Sequence, residues 1–240
     1  MGRVVTEVAS TQEDLRIVAG VDVIDNASMP YPIFTSFSEV PVEAEVVVDF
    51  SNPSNLDDFL NFLTKKKMPA VIASTGFSDE QLERIAEAAT ETPIFMASNM
   101  SIGINLLAEL AKTAAKVLGG SFDIEIVEAH HNQKLDAPSG TAKTLAKAVE
   151  AGLDYEPIYT YDRHDRRAKR EKHEIGMHAI RGGTIVGEHE IIFAGNDEVI
   201  KLSHSALSKN IFAEGALNAA RYIVKKQPGL YSMHDLVSES

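Results

Sequence analysis

Residues 128 to 141 read Glu128-Ala129-His130-His131-Asn132-Gln133-Lys134-Leu135-Asp136-Ala137-Pro138-Ser139-Gly140-Thr141. Imidazole is the side chain whose ordinary titration lies near neutral pH, so His130 and His131 are candidates for proton transfer. Directly after the stretch, Ala142, Leu145, Ala146 and Val149 are spaced as one helix face that closes at Gly152. Ser139, Gly140 and Thr141 therefore form the first turn of a helix. The unpaired N–H groups of such a turn, with the positive end of the helix dipole, favour an anion, and Gly140 lets it come close to the backbone. With the charge of Lys134 added, the stretch reads as a carboxylate or phosphate binder beside a proton donor. Two plainer readings stand beside it: adjacent histidines at a strand end face opposite sides, so one of them only bonds a carbonyl, and Ser-Gly-Thr serves equally as simple capping.

The surrounding pattern says what carries this loop. Glu45 to Phe50, Pro69 to Ala73 and Pro93 to Met96 are short apolar runs. The segments between them carry helical spacing, at Leu56, Phe59, Leu60 and Leu63, and at Leu82, Ile85, Ala86 and Ala89 after a Ser78 cap. Uniformly apolar strands joined by helices predict a parallel sheet covered on both faces. Leu15 to Val21 predicts one more strand, ending in Asp22. In such sheets ligands sit beyond the carboxyl ends of the strands. Asp22 lies at the position where an acidic residue binds a ribose, counted from Gly2 as the phosphate-binding glycine, and reads equally as an Asp in a polar loop.

Ile104 to Leu118 predicts a long helix ending at Gly119-Gly120. Phe122 to Ala129 follows as a strand, Thr141 to Ala151 as a helix, and residues 178 to 206 as three strands, with turns at Arg181-Gly182-Gly183-Thr184 and Gly195-Asn196-Asp197. This half predicts a mostly antiparallel mixed sheet of α+β type. A last amphipathic helix, about 211 to 226, is expected to return to the first domain.

Composition narrows the classes. The chain has 240 residues, with 35 Asp and Glu against 23 Lys and Arg for a net charge of −12, and no cysteine. Disulfides, thiolate catalysis and sulfur-bound metal are excluded. The acidic balance argues against general affinity for nucleic acid or anionic membranes. The longest apolar runs are strand-sized and the first ten residues show no export signal, so the expected location is the cytoplasm. Adjacent histidines rarely chelate one ion and no H-E-x-x-H spacing occurs, so no metal is expected.

The stretch EAHHNQKLDAPSGTA closely resembles the signature of the dihydrodipicolinate reductase family, enzymes of the diaminopimelate route to lysine. VVVDFSNP, VIASTGF, ASNMSIGINLL, IVGEHE and SHSALSKNIFAEGAL resemble further family segments, in the same order. The resemblance implies a Rossmann-like dinucleotide-binding domain, residues 1–101 and 212–240, and a smaller substrate-binding domain, residues 102–211. It implies NAD(P)H-dependent reduction of a cyclic dicarboxylate. His130 would be the general acid and Lys134 would assist, with substrate held by His131, Lys134, Ser139, Gly140 and Thr141. NADPH or NADH would lie against Gly2, Arg3, Asp22, Phe50, Ser74, Thr75, Gly76, Ser98, Asn99, Met100 and Lys209. Val23, where relatives using both cofactors often carry Arg, leans toward NADH, although Arg3 could accept a 2′-phosphate. A homotetramer through residues 178 to 206 is also implied.

Two features depart from this picture. Family members open with a strand and a turn of the form GxxGxMG, of which only Met1-Gly2 is present, about a dozen residues short. Either residues are omitted from the sequence, which the intact catalytic stretch favours, or the chain is a shortened, non-catalytic relative that binds a dicarboxylate without cofactor. The second feature is the basic run Arg163 to Lys172, read as a solvated loop, a site for anionic substrate or phosphate, or a subunit contact.

Overall fold

A computed structural model describes residues 1–24, 28–40 and 43–239. In chain order the elements are α1 (Gly2–Ser10), β1 (Gly20–Val21), β2 (Ile33–Phe34), β3 (Val47–Asp49), α2 (Leu56–Lys66), β4 (Ala70–Ile72), α3 (Asp79–Ala89), β5 (Pro93–Met96) and α4 (Ile102–Leu118). They continue with β6 (Asp123–His130), α5 (Gly140–Glu150), β7 (Ile158–Thr160), β8 (Glu174–Arg181), β9 (Gly187–Ala194), β10 (Val199–Ala206), α6 (Asn210–Ile223), β11 (Gly229–Tyr231) and α7 (Met233–Ser238). The chain divides into one unit of Met1–Ile102 with Asn210–Ser240 and another of Gly103–Lys209.

In the first unit β11, β5, β4 and β3 form a parallel sheet in that order. Successive side chains leave a strand on opposite faces, and here both faces are covered. Ala70, Ile72 and Ile94 pack with Leu56, Leu60 and Leu63 of α2 and Ile85 of α3. Val71 and Phe95 face Ala216, Ala219, Ala220 and Ile223 of α6. That is why these strands carry no polar alternation. α2 stops at Lys67, which takes the left-handed conformation at φ 49°, and α3 starts on a Ser78–Gln81 capping box.

The strand predicted over Leu15 to Val21 is only Gly20–Val21, paired with β2 in a separate two-stranded parallel sheet. A β-branched run becomes a strand only where a neighbour takes its hydrogen bonds. Met1 and Gly2 lead directly into α1, and among the described residues no strand joins β1–β2 to the free side of β3.

The second unit is a mixed sheet ordered β10-β9-β6-β8-β7. β10–β9–β6 pair antiparallel and β6–β8–β7 pair parallel, more parallel pairing than the turn signals suggested. Gly195-Asn196-Asp197 joins a true hairpin. The turn after Arg181 reverses the chain but carries it across β6, so β8 and β9 do not touch. One face packs on α4 and α5 through Ile104, Leu107, Ala111, Leu145 and Val149.

The basic run 163–172 is mostly exposed, as a solvated loop would be, but three of its cations are paired within the chain. Arg163 and Arg166 both bind the buried Glu174 carboxylate, the latter at 2.7 Å, and Arg170 binds Asp123 at 3.0 Å and Glu125 at 3.1 Å. Burial works against the Glu174 charge, but the two guanidiniums outweigh it and hold the carboxyl below its ordinary range. Half of the run's cations are thus spent on the chain's own sheet.

Candidate active site

The active-site candidate continues the core of the second unit along the strands. On β6 the helix-facing positions run Ile124, Ile126, Glu128, His130, two by two. Across the ladder Ile124 meets Phe193, Ile126 meets Ile191 and Glu128 meets His189, while on the other side His130 meets Arg181. The same face that is hydrocarbon under the middle of the sheet therefore becomes ionic at its end, beneath the start of α5.

Glu128 organises this end. Its carboxylate is 1% exposed and accepts four hydrogen bonds. Arg181 Nη1 and Nη2 donate to its two oxygens at 2.8 Å each, Ser139 N–H donates at 3.0 Å, and His130 Nδ1 donates at 2.6 Å. Burial opposes the charge, yet the Arg181, His130 and Ser139 contacts together hold the Glu128 carboxyl below its ordinary value. Arg181 also donates to the carbonyl of Asp136 at 2.7 Å, tying the loop to β8.

The His130 ring, 9% exposed, meets His189 edge to face at 5.2 Å between ring centres. His189 Nε2 lies 3.2 Å from Ser139 Oγ, and among the described residues its buried Nδ1 has no partner. Burial first, then the charge of His130, pushes the His189 imidazole down to about 4. The His189 imidazole is thereby kept neutral. A Cβ on Gly187 would stand 3.2 Å from His130 Nε2, so the absent side chain there leaves that nitrogen its approach.

A pH effect on stability follows from His189. Its ordinary value is 6.5 and its folded value about 4, so between these the unfolded chain binds a proton that the fold refuses. The contribution is complete above about 6.5 and is lost as pH falls toward 4. Melting midpoints of the wild type are expected to drop across that window, and those of His189→Gln to drop less; equal slopes would contradict this assignment.

Of the other expected substrate residues, Lys134 Nζ sits 2.8 Å from Asp136 Oδ1. The hydrogen bond from Lys134 chiefly, with a smaller one from the Gly140 amide, lowers the Asp136 carboxyl. Ser139 caps α5, its Oγ accepting from Ala142 N–H at 3.1 Å. Ser139 N–H is thus taken by Glu128 and the Gly140 amide by Asp136, so a carboxylate already sits at the start of α5. His131 lies beyond the strand end, half-buried. His130, Lys134, Ser139 and Gly140 are thus brought to one loop, together with Glu128, Arg181 and His189, to which the sequence reading gave no role here.

In the first unit, Ser74 at the carboxyl end of β4 is buried and donates to Asp49 Oδ2 at 2.6 Å, linking it to the end of β3. Gly76 follows at φ 88°, a conformation that favours glycine, with open space where a Cβ would stand. Thr75 is exposed, and Phe50 is half-buried. After β5, Ser98 is exposed, Asn99 Oδ1 accepts from Ser101 N–H at 2.9 Å, and Met100 is buried. Asp22 ends β1 and accepts from Ile24 N–H at 3.3 Å. Gly2 and Arg3 are the exposed first residues of α1, and Lys209 is exposed just before α6.

Comparison with known proteins agrees with this layout. Residues 1–100 match the family model described as dihydrodipicolinate reductase, N-terminus, and residues 103–237 that described as dihydrodipicolinate reductase, C-terminus. The chain is 49% identical over 239 residues to the 4-hydroxy-tetrahydrodipicolinate reductase of Caldanaerobacter subterraneus, covering 100% of this chain and 94% of the relative. It is 46% identical over 237 residues to that of Clostridium novyi, covering 99% and 94%. Its fold resembles a dipicolinate-bound dihydrodipicolinate reductase from Paenisporosarcina, with a TM-score of 0.81 at 24% identity, over 96% of this chain and 92% of that one. A parallel sheet covered by helices, a mixed sheet whose β6 runs into the His130–Lys134 loop, and a match along the whole sequence place the chain in the dihydrodipicolinate reductase family.

Proposed function

We infer that this chain is an oxidoreductase that reduces 4-hydroxy-tetrahydrodipicolinate with a reduced pyridine nucleotide, in the lysine and diaminopimelate route. The observation that carries the reading is the loop of the second unit, where a buried imidazole hydrogen-bonded to a carboxylate stands beside an ammonium and a helix start.

The substrate is a dianion with a ring imine. One carboxylate takes the place of Asp136 on Lys134 and the Gly140 amide, with Thr141 N–H and His131 as further partners. His130 then gives a proton from Nε2 to the ring carbon beside the one that has accepted hydride, and Lys134 assists by holding the charge of the dianion.

The first unit fits a dinucleotide. The free amides at the start of α1, with Gly2 and Arg3, suit a pyrophosphate, and Asp22 suits the hydroxyls of a ribose. The open backbone at Thr75 and Gly76, fixed by the Ser74–Asp49 bond, suits a flat carboxamide, with Phe50, Ser98, Asn99 and Met100 as further contacts. When bound, the nicotinamide supplies the hydride. With Val23 after Asp22, NADH is the favoured cofactor over NADPH.

The assay is direct. Reduced nucleotide is expected to be consumed only when freshly generated substrate is supplied, faster with NADH than with NADPH. Asp22→Ala is expected to raise KM for NADH about tenfold, ~1.4 kcal/mol, with kcat retained. Equal use of both nucleotides and an unchanged KM would remove Asp22 from the site.

Assembly and location extend the same reading. The exposed apolar side chains of Ile180, Val199 and Ile200 support a homotetramer built on the second-unit sheet. Among the described residues no helix is long and apolar enough to cross a membrane. The acidic chain, with its soluble substrate, suits the cytoplasm.

A further inference from the structure

His130 makes one hydrogen bond through Nδ1, at 2.6 Å to a carboxylate oxygen of Glu128. That carboxylate is buried, and its remaining bonds all come from donors: the two Arg181 amines and Ser139 N–H. An ionised carboxylate only accepts, so the imidazole must be the donor and its Nδ1 must carry a proton. A free neutral imidazole has no such obligation. On the opposite side of the ring, Gly187 leaves Nε2 uncrowded, and the neutral His189 packs against the ring by its edge and not by a competing charge.

We propose that Glu128 is a positioning residue that locks His130 in the Nδ1–H form, so that Nε2 is the only atom from which a proton can leave, and that Arg181 holds Glu128 for this task. The proposal deepens the reading of His130 as the acid and rests on it. In the charged ring both nitrogens carry protons. Transfer from Nε2 to the substrate carbon leaves a neutral ring whose Nδ1–H still points at Glu128, and a solvent proton restores Nε2. No proton passes to Glu128 at any stage, and the Arg181 fork opposes its protonation. Ser139 enters the same network, so the carboxylate that aims the acid also fixes the start of the anion-binding helix. One side chain thereby sets the distance between proton donor and bound carboxylate.

The test is 15N NMR of histidine-labelled enzyme in the pH range where the rings are neutral, together with steady-state kinetics of Glu128→Gln and Arg181→Lys. The wild-type His130 signal is expected to show the Nδ1–H tautomer. Glu128→Gln is expected to lose that preference and about a hundredfold in kcat, with KM for the dicarboxylate within about threefold. Arg181→Lys, which keeps the charge and loses the fork, is expected to fall between. An Nε2–H tautomer in the wild type overturns the proposal even if both variants fail to fold. So does a folded Glu128→Gln with wild-type kcat and tautomer. Absence of turnover in the wild type would instead strike the functional reading, since the NMR result needs no substrate.

Discussion

His130→Ala is expected to lose about 10²- to 10⁴-fold in kcat, the range spanned by removal of a general acid, with binding of reduced nucleotide unchanged. The ring is the only titratable group of the loop that combines a nearly enclosed position with an approachable nitrogen. Its Nδ1 is engaged by Glu128 at 2.6 Å, while Gly187 keeps the Nε2 side open. His189 cannot replace it, because burial holds that ring neutral, with its pKa pushed down to about 4, and its Nε2 is turned to Ser139. His131 lies past the strand end, outside the Glu128 network. Nor does the substitution orphan a buried charge: Glu128 retains both Arg181 bonds and the Ser139 amide. Folding is therefore expected to survive, and the melting midpoint to stay near that of the wild type. The measurements are kcat with freshly generated substrate and nucleotide affinity by fluorescence quenching. A variant within a few fold of wild-type kcat would remove His130 from the role of acid.

Gly215→Ala is expected to be the most destabilising addition of one methyl group, costing about 3 kcal/mol or more, at and beyond the upper end of overpacking effects. A Cβ at 215 would stand 1.7 Å from the carbonyl oxygen of Met100 and 2.8 Å from its carbonyl carbon. Neither atom belongs to a side chain that could rotate away. α6 approaches so closely because its inner face is built from small residues, Ala213, Gly215, Ala216, Ala219 and Ala220, all buried. Relief requires the helix to lift from the sheet, and each contact along that face weakens with the gap. Since the struck carbonyl belongs to the segment 98–100, proposed to contact the nucleotide, weaker nucleotide binding is expected with the loss of stability. Gly120→Ala, with open space around its Cβ, provides the control, expected within about 0.5 kcal/mol of wild type. Chemical denaturation of both variants decides the matter; equal midpoints would show that α6 yields without cost.

The two halves of the fold were readable to different degrees, for a reason visible in their strands. In the first unit, buried parallel strands are apolar throughout and the connecting helices announce themselves by spacing and by the Ser78 cap, so β3, β4, β5, α2 and α3 stand close to their predicted places. The run at Leu15 to Val21 looked no different, but only two residues of it find a partner. Likewise the turn at Arg181 looks like a hairpin signal, yet β6 lies between the strands it joins. β7 and β11, three residues each, are too short to carry a period.

At the site, the sequence alone determined the chemical inventory: two histidines, a lysine and a helix start in one loop. Local spacing also places Glu128 and His130 on one face of one strand. What tertiary structure decided is which of these atoms remain free and which are engaged. Arg181 reaches Glu128 from 53 residues away and His189 reaches Ser139 from 50. Their meeting depends on strand order and on register, in which a slip of one residue would turn each side chain to the opposite face. Local periodicity fixes the face of a residue but carries no record of its partner across the ladder. The same limit applies to the basic run at 163–172. Its composition suggested a free cationic loop, and only the neighbouring ends of β6 and β8 supply the carboxylates that neutralise Arg163, Arg166 and Arg170.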